Sequence, residues 1–263
     1  MFRSQSLKQQ WDRPLPKYWN DNSPFKTHFL NALSITLPDC EKFFIETVKP
    51  HIKRINDPEL LAHTKEFVKQ ESHHRVAHQF YNDWLITQGL PVDQLQKSTN
   101  KMWNFVRKYL NNDARLALTI CVEHITVVYA SVFLSRQSIL ENMHPQFRQI
   151  WQWHAVEEIE HKSVTMDIWN TTTGSLFLRR LAMMLVLPTY MWYVGKNTII
   201  FLYTDKQLWK WRTLMDMCSF LFNSEYGVVR KSFVPWLDFM AEEFHPNQHD
   251  HSKLLKCKEL RPL

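Results

Sequence analysis

The sequence predicts an all-α protein built around four long helices. Three observations carry that expectation: there are only 4 glycines in 263 residues, apolar residues recur at i, i+3, i+4 and i+7 over long stretches, and Asp, Asn or His-Pro starts precede those stretches. At the usual glycine frequency of roughly 7% the chain would hold about eighteen. Hairpin-rich β folds need Gly or Asn-Gly turns in quantity. Gly89, Gly174, Gly195 and Gly227 also stand too far apart for a GxGxxG, P-loop or GxSxG loop. Glycine-built phosphate cradles and nucleophile elbows are thereby excluded.

Taken in order, residues 1–38 are expected to be an irregular lead-in, because Pro14, Pro16, Pro24 and Pro38 are spaced too closely for a long helix. Asp39 can cap a helix to about residue 55 with Glu41, Phe44, Ile45, Val48 and Ile52 on one face, and Pro50 can kink or end it. Asn56-Asp57-Pro58 is a second start, and that helix runs to Gln88, where Gly89 and Pro91 stop it. Residues 92–110 form a shorter, more polar crossover helix. Asn112-Asp113 caps a third long helix to about Ser135, with Leu116, Ile120, Val127, Ala130 and Leu134 beside Glu123. His144-Pro145 opens a fourth, to about Thr171. Residues 39–175 then form the bundle, 176–245 an apolar helical region packing on the bundle or on a membrane, and 246–263 a polar tail. The apolar run 181–195 is too short to cross a bilayer, although with 198–203 and its flanking cations it could lie in an interface. The basic tail and the His-rich segment 245–251 are expected to be disordered or solvated.

Bulk charge is less decisive. The 32 basic and 26 acidic residues give a net charge of +6 without a basic stripe interleaved with aromatics, so no nucleic-acid partner is expected. Cys40, Cys121, Cys218 and Cys257 have no CxxC spacing and suit reduced thiols. The first twenty residues have no apolar core of a signal peptide, so a cytoplasmic protein is expected, or one peripheral on the inner membrane face. A surplus of 13 histidines and 11 tryptophans points to ligand or acid/base chemistry.

Two segments concentrate that chemistry. QESHHRVAH (70–78) holds Glu71 and His74, and WHAVEEIEH (153–161) holds Glu158 and His161. Residues three apart on a helix share a face, so each carboxylate and imidazole can aim at one point. A carboxylate facing a bundle interior is costly unless it is paired or bound to metal. The other two long helices each place one glutamate, Glu41 and Glu123, in an apolar stripe. The separations, 30 residues from Glu41 to Glu71 and 35 from Glu123 to Glu158, each suit one helical hairpin. This order of Glu, ExxH, Glu, ExxH resembles ferritin-like di-iron and di-manganese carboxylate bundles, the very arrangement by which that group is described. The resemblance implies a ferritin-like four-helix bundle with a crossover helix and additional C-terminal helices.

Two further histidines share the inward arcs. His154 precedes Glu158 by four residues and is a seventh candidate ligand; His78 is a candidate ligand or a support behind one. Glu157, four residues before His161, is the alternative to Glu158. His73, His124 and Glu160 point away, and Asp167 and Tyr81 are candidates to orient ligands. The HxxxExxH pattern at 154, 158 and 161, with ExxH at 71 and 74, resembles the seven-ligand set of di-iron arylamine N-oxygenases.

Over roughly residues 35–240, the combination of QExxHxxxH with WHxxEEIEH is similar to the bacterial family of predicted metal-dependent hydrolases, which implies hydrolysis. Four glutamates match the charge of two divalent cations. Oxygen and imidazole ligands favour iron, or manganese or a mixed Mn/Fe pair, over zinc. The expected function is therefore a dinuclear, O₂-dependent oxidase or oxygenase on a small, apolar organic substrate with an electron donor. The alternatives are a hydrolase using a metal-bridging water and a metal store or sensor. The sequence leaves the oligomeric state open.

Overall fold

The chain is described by a computed structural model over residues 15–135, 137–225 and 227–256. Its described residues are all-α; no strand occurs among them. Cys257 lies outside the described residues.

The first helix, α1 (Pro24–Val48), is longer than the sequence spacing suggests. Residues 24–38 are helical where an irregular lead-in is expected. Ser23 caps the start by accepting from Lys26 N–H, and Pro24 sits at a first-turn position where no N–H is needed. Pro38 lies inside the helix and leaves the carbonyl of Ser34 without its usual donor. The Nδ2 of Asn82, on the next helix, donates to that carbonyl at 3.1 Å, so the orphaned acceptor is satisfied across the bundle. A 3₁₀ turn, Lys49–Arg54, follows at Pro50.

Helix α2 (Pro58–Thr87) starts on Asp57, whose side chain accepts from Glu59 N–H. It ends at Gly89, whose φ of +77° lets the N–H of Leu90 return to the carbonyl of Leu85. The crossover helix α3 (Val92–Tyr109) leads to α4 (Asn112–Ser135). Helix α4 is apolar enough to cross a membrane, but it is buried on nearly all sides as the central helix of the bundle.

After the short α5 (Gln137–Glu141), the expected fourth helix comes in two pieces, α6 (Pro145–Glu160) and α7 (Val164–Thr172). The break falls at His161, whose carbonyl accepts from Val164 N–H in a tightened turn. Gly174, at φ +66°, closes α7.

The C-terminal region supplies α8 (Leu176–Thr204), α9 (Trp211–Phe222), α10 (Val228–Asp238) and α11 (Ser252–Lys256). The apolar segment 181–203 lies within α8, which packs along both α1 and α4 and so forms part of the bundle wall. Its outer face keeps Met184, Leu185, Trp192 and Ile199 exposed. The His-rich segment is held against the bundle: His245 contacts Asp167 at 2.9 Å, His249 contacts Asp238 at 3.1 Å, and Lys162 donates to the His249 carbonyl at 2.5 Å. Ion-pair partners on α7 and α10 account for order where composition alone suggests solvation.

Candidate metal centre

Four helices and one helix end bring seven side chains to one buried point. Glu41 comes from α1, Glu71 and His74 from α2, Glu123 from α4, His154 and Glu158 from α6, and His161 from the C-cap of α6. All seven are buried. Their donor atoms form three overlapping groups, each within 4.8 Å: Glu41, His74 and His154; Glu71, Glu123 and His161; and Glu71, His74 and Glu158. These groups can hold metal ions.

The closest approaches have the spacing of ligands on shared ions. His154 Nε2 lies 3.1 Å from Glu158 Oε1, His161 Nε2 lies 3.4 Å from Glu71 Oε1, and His74 Nδ1 lies 3.6 Å from Glu71 Oε1. Two ligands with bonds of about 2.1 Å to one ion stand about 3.0 Å apart at a right angle and about 3.4 Å apart at the tetrahedral angle.

The carboxylates are also unsatisfied. Both oxygens of Glu41, Glu71 and Glu123 are buried without a hydrogen-bond partner among the described residues. Such groups cost free energy unless something positive meets them. Burial, and then the charges of Glu71 and Glu158, push the Glu41 carboxyl well above the usual range. Burial raises Glu123 likewise, helped by Glu158, Glu71 and Glu41. Glu71 is pushed up to about 8 by burial and by Glu158. Burial also opposes ionisation of Glu158; protonated His154 and His161 would offset that and hold it well below the usual range, and where both rings turn lone pairs inward a cation has to take that part. Thr126 Oγ1, 2.7 Å from Glu158 Oε2, can donate to it as well. Four carboxylates in one dry site must share protons or cations, and the donor set fits cations.

Outer partners aim the imidazoles. The Nδ1–H of His161 donates to Gln70 Oε1 at 3.2 Å, which leaves the Nε2 lone pair facing the cluster. His74 Nε2 lies 3.0 Å from Glu157 Oε2, with Nδ1 turned inward, and Trp153 Nε1 holds Glu157 from behind at 2.8 Å. Glu157 thus stands outside the cluster, against His74, while Glu158 stands inside it.

His78 is likewise outside. The amide of Asn82 is oriented by its bond to the Ser34 carbonyl, so its Oδ1 accepts from Ser34 O–H at 2.8 Å. Ser34 Oγ must then accept from His78 Nδ1–H at 2.9 Å. Burial, with His154 and His74 nearby, lowers the His78 pKa well below its usual value, so the ring is neutral. Its Nε2 therefore accepts from His154 Nδ1–H at 3.0 Å. His154 is left with its Nε2 lone pair toward Glu158 and the cluster.

The remaining candidates lie elsewhere. Asp167 pairs with His245, and Tyr81 donates to Asn31 Oδ1 at 2.5 Å among aromatic rings. His124 donates to the Pro235 carbonyl at 2.8 Å, His73 is half-buried, and Glu160 is exposed. Sequence reasoning passes over Gln70, Ser34, Asn82, Thr126 and Trp153. Spacing alone could have flagged two of them: Thr126 is three residues after Glu123, and Ser34 is seven before Glu41.

No curated protein and no solved structure matches the chain, so the likeness to ferritin-type bundles rests on the order of the ligand-type residues. The family model described as predicted metal-dependent hydrolase matches residues 3–250, and the chain belongs to that family.

Proposed function

We propose that the protein is a metal-dependent hydrolase whose cluster holds two divalent cations. Glu41, His74 and His154 would hold one, Glu123 and His161 the other, and Glu71 and Glu158 would lie between them. The observation that carries this reading is the convergence of fully buried, unpartnered carboxylates on inward-turned imidazoles in a chain of this family. When bound, such a pair supplies an acidified water and polarises a substrate carbonyl or phosphoryl oxygen.

The chain's own residues set the conditions for that chemistry. Gln70, Glu157 and the Ser34–His78 pair fix which imidazole nitrogen carries its proton. Thr126 steadies Glu158. The buried apolar residues around the cluster, among them Phe67 beside His161, exclude bulk water and strengthen every charge interaction inside.

Full-length protein loaded with two divalent ions should cleave at least one member of a panel of carboxylic esters, amides and phosphoesters. Chelation should abolish that cleavage and metal should restore it. Absence of hydrolysis across the panel by fully loaded protein overturns the reading.

A second reading, an O₂-dependent oxidase or oxygenase using iron or manganese, draws on the donor set alone. Four carboxylates and three imidazoles without a thiolate suit those metals. Anaerobic loading with Fe(II) followed by O₂ separates the two: an oxygen-dependent absorbance change with turnover of an organic substrate favours the second. Peripheral contact of 181–203 with a membrane belongs to the same proposal, supported by the exposed apolar side chains on the outer face of α8. A sedimentation assay with anionic vesicles tests it.

A further inference from the structure

A cavity of about 400 Å³ lies between α1, α3, α4 and α8. Its buried end is formed by Cys40, Trp103 and Val122, and its rim carries the exposed Phe105 and Leu185. Tyr190 is a wall shared with a second chamber of about 30 Å³, which is lined by His154 and Thr126. Tyr190 thus separates the cavity from the chamber at the edge of the candidate metal centre, where Thr126 touches Glu158.

The walls define what can fill it. Met, Val, Leu and aromatic side chains make up most of the lining. Of the hydroxyls that line it, two already spend their protons within their own helices: Thr36 donates to the Leu33 carbonyl at 2.7 Å, and Thr99 donates to the Leu95 carbonyl at 3.2 Å. Thr189, Tyr190 and Tyr193 supply the others, and the surface the cavity presents is almost wholly carbon, so a polar group placed there would lose its water without full replacement. Among the described residues, no Lys, Arg, His, Asp or Glu lines the cavity. The volume falls in the range of small-molecule sites, roughly 300–1,000 Å³. At ~30 Å³ for a water-sized group it has room for on the order of ten methylenes.

We propose that this cavity binds the unbranched aliphatic chain of the substrate, with the chain's reactive end passing Tyr190 toward His154 and Glu158. The proposal deepens the hydrolase reading and rests on it only in naming the ligand a substrate; the apolar site itself is defined by the walls. Chain binding without a charged anchor implies an affinity that grows with length until the space is full.

The test uses full-length, metal-loaded protein and a series of straight-chain primary alcohols from butanol to dodecanol, with binding followed by calorimetry. Each added methylene should tighten binding about fourfold, the ratio that corresponds to its transfer free energy, up to on the order of ten carbons. Longer chains should gain nothing. Leu118→Trp narrows the cavity from α4 and Thr189→Trp narrows it from α8. Each should weaken decanol at least tenfold while metal content stays at the wild-type value, and one correctly folded variant suffices. No saturable binding, no dependence on chain length, or wild-type decanol affinity in a folded variant would overturn the proposal. Failure of the hydrolase reading looks different: decanol binds as described, yet no ester of any chain length is cleaved. Ester hydrolysis with KM independent of chain length would instead remove the cavity proposal and leave the hydrolase standing.

Discussion

His78 and His154 meet nitrogen to nitrogen at 3.0 Å, with His154 as donor. The direction of that bond is set three links away, by the Ser34 carbonyl that Pro38 leaves free. A helix defect in α1 thereby determines which face of an imidazole on α6 is presented to the centre. Replacing His78 with Phe should keep most of the packing and remove the acceptor. Removal of an outer-shell partner typically lowers metal affinity 10–100-fold, and a competition titration with a chromophoric chelator would measure it. Affinity equal to wild type would show that His154 needs no such aim.

Asn82→Ala tests the origin of the chain of bonds. It leaves the Ser34 carbonyl buried without a donor, at a cost of about 1–3 kcal/mol. Urea denaturation of the metal-free protein should show a loss of that size. An unchanged midpoint would mean that α1 re-forms around Pro38 without the cross-bundle bond.

Glu157 and Glu158 are adjacent in sequence and differ in role. Glu158→Ala should abolish binding of at least one ion. Glu157→Ala should leave both bound but more weakly, because it removes only the group behind His74. Metal counts by plasma emission spectroscopy separate the two outcomes. Equal losses from both substitutions would contradict the inside and outside assignment.

Above about pH 7, where the buried histidines are neutral folded and unfolded alike, the metal-free protein should lose stability as pH rises. Glu71, raised to about 8 in the folded state, keeps its proton while the unfolded chain releases one near 4.5. The folded state therefore binds more protons between those values, and the slope of unfolding free energy against pH is negative there, about 1.4 kcal/mol per pH unit for each such carboxyl. The Glu71 contribution levels off above about 8. Thermal unfolding followed from pH 7 to 9 measures the trend. Saturating metal should remove most of the slope, since cations then meet the charge.

The parts of this arrangement that follow one helix were legible in the sequence. Glu71 with His74 and Glu158 with His161 share faces by spacing, and the apolar stripes around Glu41 and Glu123 point both glutamates inward. Glycine scarcity and the Pro58, Gly89 and Pro145 signals place the helix ends well. Other features depend on contacts between elements. Pro38 reads as a breaker until Asn82 is seen to supply the missing donor. Gln70, Ser34 and Trp153 resemble ordinary helix residues until a ring nitrogen or carboxylate arrives beside them from another helix or the next turn. The choice between Glu157 and Glu158 turns on about 100° of helix rotation, which the bend at His161 makes hard to assign from spacing. The order of residues 245–251 draws on Asp167 and Lys162, both distant in sequence, and on Asp238.

The central claim is that these seven side chains hold metal. Plasma emission analysis of full-length protein, purified from its native host and dialysed against metal-free buffer, tests it most directly when paired with the Glu71→Ala, Glu158→Ala double variant. The account predicts close to two equivalents of divalent metal per chain in the wild type and none in a double variant that still gives the helical circular dichroism of the parent. A metal-free wild-type protein that takes up no divalent ion on titration, or a double variant that keeps two equivalents, would contradict it.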